Sequence, residues 1–87
     1  MSESRKYVRT SMKVKVKVWH DSIGELVVNT RDISDGGIFL LTEDIEMPPI
    51  GSVLKGQVQG MPIEAPIVQL EIVRIEPMGV GLRFIQN

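Results

Sequence analysis

The chain predicts an all-β fold, a single antiparallel barrel or sandwich of six short strands with little or no helix. Three observations carry this. Lys13-Val14-Lys15-Val16-Lys17-Val18 alternates strictly between charged and apolar residues, and a period of two is the mark of a half-buried strand. Short apolar runs recur along the rest of the chain at regular spacing, with glycine and proline between them, as in closed or two-layered antiparallel sheets. No stretch shows helical periodicity over ten or more residues. Closure into a barrel also removes the exposed edges that so small a sheet would otherwise have to protect.

Along the chain, Val14, Val16 and Val18 face one way and the lysines the other. Trp19 and His20 follow, and Asp21-Ser22-Ile23-Gly24 reads as a turn into a second strand, about Glu25 to Thr30. Asp32-Ile33-Ser34-Asp35-Gly36-Gly37 is dense in turn formers. Ile38 to Leu41 is a short third strand, and Thr42 to Ile50, acidic and holding Pro48-Pro49, reads as a loop with at most one helical turn. Gly51 opens a fourth strand, about Ser52 to Gln59, with Leu54 and Val58 on one face. Gly60-Met61-Pro62 turns the chain, Ile67 to Ile75 is a fifth strand with Val68, Leu70 and Ile72 on one face, and Pro77-Met78-Gly79 leads into a sixth, Val80 to Ile85, where Val80, Leu82 and Phe84 share a face.

Length and composition bound what the chain does. Its 87 residues suffice for one domain and one modest core, and 43% apolar content is too high for a disordered chain. There is no cysteine, which excludes disulfides and thiolate zinc sites and points to a reducing cytoplasm. No apolar run approaches a membrane span, and Met1-Ser2-Glu3-Ser4-Arg5 lacks the apolar stretch of a secretion signal. The net charge of -1 hides an asymmetry: residues 1–20 carry six basic residues against Glu3 alone, whereas residues 21–87 carry four basic and ten acidic ones. A basic segment of this kind suits an anionic ligand; it equally suits a solvated basic edge that keeps a strand soluble.

Catalysis finds little support. His20 is the only histidine, and a set drawn from His20, Ser34 and Asp32 matches no nucleophile elbow. One histidine and scattered carboxylates also make a poor metal ligand set, so neither catalytic nor metal residues are expected. Two motifs do carry chemistry. Arg5-Lys6-Tyr7-Val8-Arg9 sets two arginines four apart; the guanidinium fork binds phosphate oxygens bidentately and matches the O6/N7 edge of guanine. Asp32-x-Ser34-x-x-Gly37 places a carboxylate and a hydroxyl in a turn. The carboxylate can accept from the N–H edge of guanine, and Gly37 can adopt a positive φ or permit a close approach. Each motif alone is weak.

Together, in this order and ahead of this strand pattern, they resemble the signature of the PilZ domain family, R-x-x-x-R followed by [D/N]-x-S-x-x-G. Arg5, Arg9, Asp32, Ser34 and Gly37 match every signature position. Ile72-Val73-Arg74-Ile75 followed by Gly79-Val80-Gly81-Leu82-Arg83-Phe84 is similar to the family's C-terminal strand pair. The resemblance implies a six-stranded antiparallel β-barrel over residues 5–87, preceded by a flexible tail at 1–4, that binds the bacterial second messenger cyclic di-GMP and needs no cofactor. It implies that Arg5 and Arg9 contact phosphate and guanine, that Asp32 and Ser34 hydrogen-bond the base, and that Gly37 shapes the turn. The polar segment 1–9 is then expected to order on the ligand and alter the surface offered to a downstream protein partner. Whether one ligand or a stacked pair binds is left open by Ser4, the small residue before the first arginine. The N-terminal methionine suggests a stand-alone adaptor.

Two other readings compete. A nucleic-acid-binding barrel would explain the lysine strand, but it needs stacking aromatics beside a basic groove; only Tyr7, Trp19, Phe39 and Phe84 are present, and the last two fall on apolar strands where core packing is expected. A PilZ-like interaction module without ligand usually lacks the arginines that this chain has, although the alternating lysines could dock an acidic partner. The expectation is therefore a ligand-binding domain that binds neither nucleic acid polymer nor membrane interior.

Overall fold

The structure is a computed structural model and describes residues 13–85. Six strands, β1 (Lys15–His20), β2 (Gly24–Ile33), β3 (Gly37–Leu41), β4 (Val53–Val58), β5 (Val68–Glu76) and β6 (Gly79–Phe84), close into one antiparallel barrel in the order β1-β2-β3-β6-β5-β4, with β4 returning to β1. No helix occurs among the described residues. The expected fold class and strand count hold. Within the barrel every strand has two hydrogen-bonded neighbours.

The alternation read from the sequence decides which side chains fill the barrel. Val16 and Val18 of β1, Leu54 of β4, Leu70 and Ile72 of β5, and Val80 and Leu82 of β6 form one buried cluster with Val28, Ile38 and Leu40. An interior of this size is filled by side chains and holds no channel. Val58 and Phe84 pack on the cluster partly buried, as their faces predict, whereas Val68 sits exposed at the rim. The connection from β3 to β4 crosses one end of the barrel. It contains no helical turn: Ile45 N–H donates to Thr42 O, Pro48 is buried, and Ile45 and Met47 pack on the core cluster. Gly51 N–H then donates to Ile72 O and Ile72 N–H to Ser52 O, which ties this loop to β5.

Two departures from the sequence reading shape the outer surface. β2 does not stop at Thr30 but runs to Ile33, so Asp32 lies in the strand and only Ser34–Gly36 form the turn. The extension is possible because β2 bulges against β3: Thr30 pairs with Leu40 and Asp32 with Phe39, leaving Arg31 as the extra residue. A second bulge interrupts β5 against β6, where Ile72 pairs with Leu82 and Arg74 with Gly81, leaving Val73 extra. An extra residue re-aims the side chains beside it. Phe39 also departs from expectation. It is buried, but it lies between the inward-facing Ile38 and Leu40 and so points to the outside of the barrel.

Candidate functional site

The end of β2, the Ser34–Gly36 turn and the start of β3 form one rim of the barrel, and the outer faces of β5 and β6 flank it. The turn is closed by Ser34, whose N–H donates to Gly37 O at 2.9 Å and whose hydroxyl reaches the same oxygen at 3.4 Å. Phe84 N–H donates to Gly36 O at 3.0 Å, which fastens the turn to β6. Gly37 serves the second of the two roles open to it. Its φ is not positive; instead β6 passes so close that a Cβ would stand 2.2 Å from Leu82 O. That requires glycine for a packing reason, without any ligand.

The outer surface beside this turn is built on Phe39. The Arg31 guanidinium lies 3.8 Å from the ring centroid and that of Arg74 lies 5.7 Å from it. Arg31 faces outward after the inward Thr30, the bulge brings Asp32 onto the same face opposite Phe39, and Arg31 Nε donates to Asp32 Oδ2 at 3.1 Å. Glu76 joins the two arginines, with Oε2 2.7 Å from Arg74 Nε and Oε1 3.8 Å from an Arg31 terminal nitrogen. Arg31 also donates to Met78 Sδ at 3.5 Å. Gly81 is the space that lets this happen: Phe39 pairs with it from one side and Arg74 from the other, and a Cβ there would meet the Arg74 guanidinium at 3.2 Å. Arg83 is held separately, with two nitrogens 2.6 and 2.7 Å from Glu71 Oε1.

Between these groups lies a concavity of about 240 Å³ lined by Asp32, Ser34, Gly36, Val73, Arg74 and Arg83, among others. This is smaller than the few hundred to a thousand Å³ of sites that enclose a whole drug-sized ligand; it suits one base-sized group. All three arginines are engaged by carboxylates, and Asp35 adds a further negative charge at the exposed turn. The described wall thus has no surplus of positive charge.

Of the residues singled out from the sequence, Asp32, Ser34 and Gly37 are brought together here. Arg5 and Arg9, the tail at 1–4 and the proposed ordering of residues 1–9 lie outside the described residues. Arg31, Phe39 and Arg74 were missed. The apolar run Ile38-Phe39-Leu40-Leu41 was the available signal, since a strand apolar on both faces must be covered on both. His20 does not join Ser34 and Asp32. It pairs with Gly24 at the far end of β2, roughly 25 Å from Asp32 at the rise of an extended strand, and its Nδ1 accepts from Ser22 N–H at 3.0 Å. No group of three or more histidine or carboxylate side chains among the described residues could hold a metal ion, and no helix among them is long and apolar enough to cross a membrane.

The chain is thus a closed six-stranded antiparallel barrel that carries a polar turn and an outer pocket at one rim of a filled core. The family is settled by sequence: the PilZ domain model matches residues 3–87, and the chain belongs to the PilZ domain family. PilZ domains are regulatory binding modules, and the family is one that binds cyclic di-GMP. Among solved structures the chain is similar to Bacillus subtilis inhibitor of motility (MotI/DgrA), with a TM-score of 0.63 and 19% identity over 98% of this chain. The match spans 44% of that protein's length, and at this identity it speaks for the fold alone. No curated protein matches the chain.

Proposed function

We propose that this domain is a cytoplasmic receptor for cyclic di-GMP that catalyses nothing and passes the signal to a protein partner. The observation that carries this reading is the convergence of Asp32 and Ser34 at a base-sized pocket on the outer rim, in a chain of a cyclic di-GMP-binding family. Asp32 and Ser34 accept from and orient the guanine edge, and Gly37 keeps the rim tight against β6 so that both side chains are held in place. The ligand carries two phosphates as well as two guanines. The described wall has no surplus cation to meet them, so the charge must come from elsewhere in the chain. Residues 1–12 supply it with Arg5, Lys6 and Arg9 against Glu3 alone. In this reading Arg5 and Arg9 contact phosphate and guanine, and their engagement brings the N-terminal segment onto the barrel beside Asp32. Control of motility is one output consistent with the fold of MotI/DgrA.

Calorimetric titration of cyclic di-GMP into the domain tests this, with GMP and cyclic di-AMP as controls. Each charge-assisted hydrogen bond contributes about 1.5–3 kcal/mol, so Arg9→Ala should weaken binding about tenfold to a hundredfold. Asp32→Ala should weaken it and also narrow the preference for guanine over adenine. Absence of binding at high micromolar cyclic di-GMP would sink the proposal in favour of a ligand-free interaction module.

A further inference from the structure

The lysine row of β1 now has neighbours. Lys15 and Lys17 point outward with Lys13 leading into the strand, and Lys13 and Lys15 are exposed and make no ion pair among the described residues. Lys17 alone is engaged, 3.8 Å from Glu25 Oε2 and 5.7 Å from the centroid of the Trp19 ring. Guarding an open edge is a common use of such a row, but β1 has no open edge: β2 lies on one side and β4 on the other. Closure of the barrel leaves the row without that role.

Beside the row stands an apolar loop. Met61, Ile63 and Ile67 are exposed, Ile63 to 82%, in a segment of eight residues, Gly60–Ile67. Single exposed apolar residues are ordinary; a contiguous group marks an interaction surface. The loop is stiff and held. Pro62 and Pro66 fix two of its φ angles, Gly60 turns it at φ +82, and Gln57 Nε2 donates to Ala65 O at 2.8 Å. Met61 lines two grooves that lie between the loop and β1, one of about 320 Å³ with Lys13 and Lys15 on its wall and one of about 310 Å³ with Lys17 on its wall.

We propose that the outer face of β1 and the Gly60–Ile67 loop form a docking surface for an acidic amphipathic helix of a partner protein. Its carboxylates would lie on Lys13 and Lys15, the two lysines without an ion pair among the described residues, and its apolar face in the groove of about 320 Å³ that Val14 and Met61 line beside them. The spacing agrees: alternate residues of a strand are about 6.7 Å apart, and residues four apart on a helix rise about 6 Å. Because both edges of β1 are paired, a partner cannot add a strand and must dock through side chains. The chain's own N-terminal segment is the wrong occupant, since Arg5, Lys6 and Arg9 repeat the charge of the row. An anionic membrane fits less well: the surface is grooved where a membrane needs a protrusion, and Glu64 sits in the middle of the loop that would enter it. The surface shares no residue with the pocket at Asp32, and its test does not depend on cyclic di-GMP.

Panning a display library of random peptides on the full chain tests the proposal. Selected peptides should carry Asp or Glu three or four residues apart beside an apolar stripe. By fluorescence anisotropy, the best of them should bind at least tenfold more weakly to Lys13→Glu/Lys15→Glu and to Met61→Ser/Ile63→Ser. A peptide with lysine in place of its glutamates should bind the charge-reversed protein better than the original does. All four substituted side chains are exposed, so circular dichroism and melting should be unchanged, which separates lost docking from lost fold. Selection of peptides without acidic bias, equal binding by the charge-reversed variant, or sedimentation with phosphatidylglycerol vesicles in place of peptide selection would each overturn it.

Discussion

β3 is buried equally well on its two faces, and by different means. Leu40 is 0% and Phe39 1% exposed. Leu40 points into the barrel and is enclosed by aliphatic side chains from the other strands. Phe39 points out and is covered by two guanidinium groups that Glu76 and Asp32 hold over it. The inner cover is a packed shape that cannot close over a void without moving strands. The outer cover consists of long side chains whose charged ends stay near water, and one of them, Arg74, also lines the pocket of the candidate site, with Asp32, the partner of Arg31, beside it. Equal burial therefore does not mean equal stabilisation, and on the outer face the cover of Phe39 and the lining of the candidate site share Arg74.

The largest expected effect breaks the two faces apart. Leu40→Ala should cost about 2–5 kcal/mol, the range for truncating a leucine in a closed core, and should leave any guanine preference unaltered. Phe39→Ala removes a larger side chain and should nonetheless cost less, about 1–3 kcal/mol, because Arg31 and Arg74 can settle into the gap. It should also weaken cyclic di-GMP, since the two arginines lose the surface that spaces them. Urea denaturation and calorimetry of the two variants give the comparison. A Phe39→Ala cost equal to that of Leu40→Ala, with unaltered binding, would make the outer patch merely a second core.

The same contrast explains what the sequence revealed. Inward-facing positions were legible because a strand's period is fixed: Val16, Val18, Leu70, Ile72, Val80 and Leu82 all follow from alternation, and all are buried. The motif residues Asp32, Ser34 and Gly37 were legible as a pattern, but not Asp32's place within β2, since Asp, Ser and Gly in a row read as a turn. The outer cover was illegible for a physical reason. A bulge is a relation between two strands, so neither Arg31 nor Val73 announces in its own segment that it is the extra residue. Without the bulge in β2, Asp32 alternates inward behind the buried Thr30 and never joins Arg31 on the outer face.

Two glycines sharpen the comparison at intermediate size. A Cβ at Gly37 would stand 2.2 Å from Leu82 O, a backbone atom in a paired strand, whereas a Cβ at Gly81 would meet only the end of the Arg74 side chain at 3.2 Å. Backbone cannot yield locally, so Gly37→Ala should cost about 1–3 kcal/mol, as overpacking does, and loosen the Ser34–Gly36 turn. Gly81→Ala should shift Arg74 and cost under about 1 kcal/mol, because a flexible side chain absorbs it. Amide hydrogen exchange around residues 34–37 would separate them: faster exchange in the first variant alone is expected, and equal exchange in both would deny that β6 fixes the turn.

The smallest expected effect on stability is also the most informative about the site. Arg31 is 38% exposed in its side chain and pairs with Asp32 at 3.1 Å, so the ion pair contributes no more than about 0.5 kcal/mol once solvent screening is counted. Arg31→Lys keeps the charge and loses the planar fork that spans Asp32, Glu76 and the Phe39 ring together. The melting temperature should hardly move. Asp32, no longer held from one side at Oδ2, should present its carboxylate to a guanine edge in a less defined orientation, and cyclic di-GMP should bind several-fold more weakly with the loss concentrated in guanine-over-adenine preference. If affinity fell equally for cyclic di-GMP and cyclic di-AMP, Arg31 would be acting as a general cation near the phosphates, and the outer cover would be electrostatic background with no part in aiming Asp32.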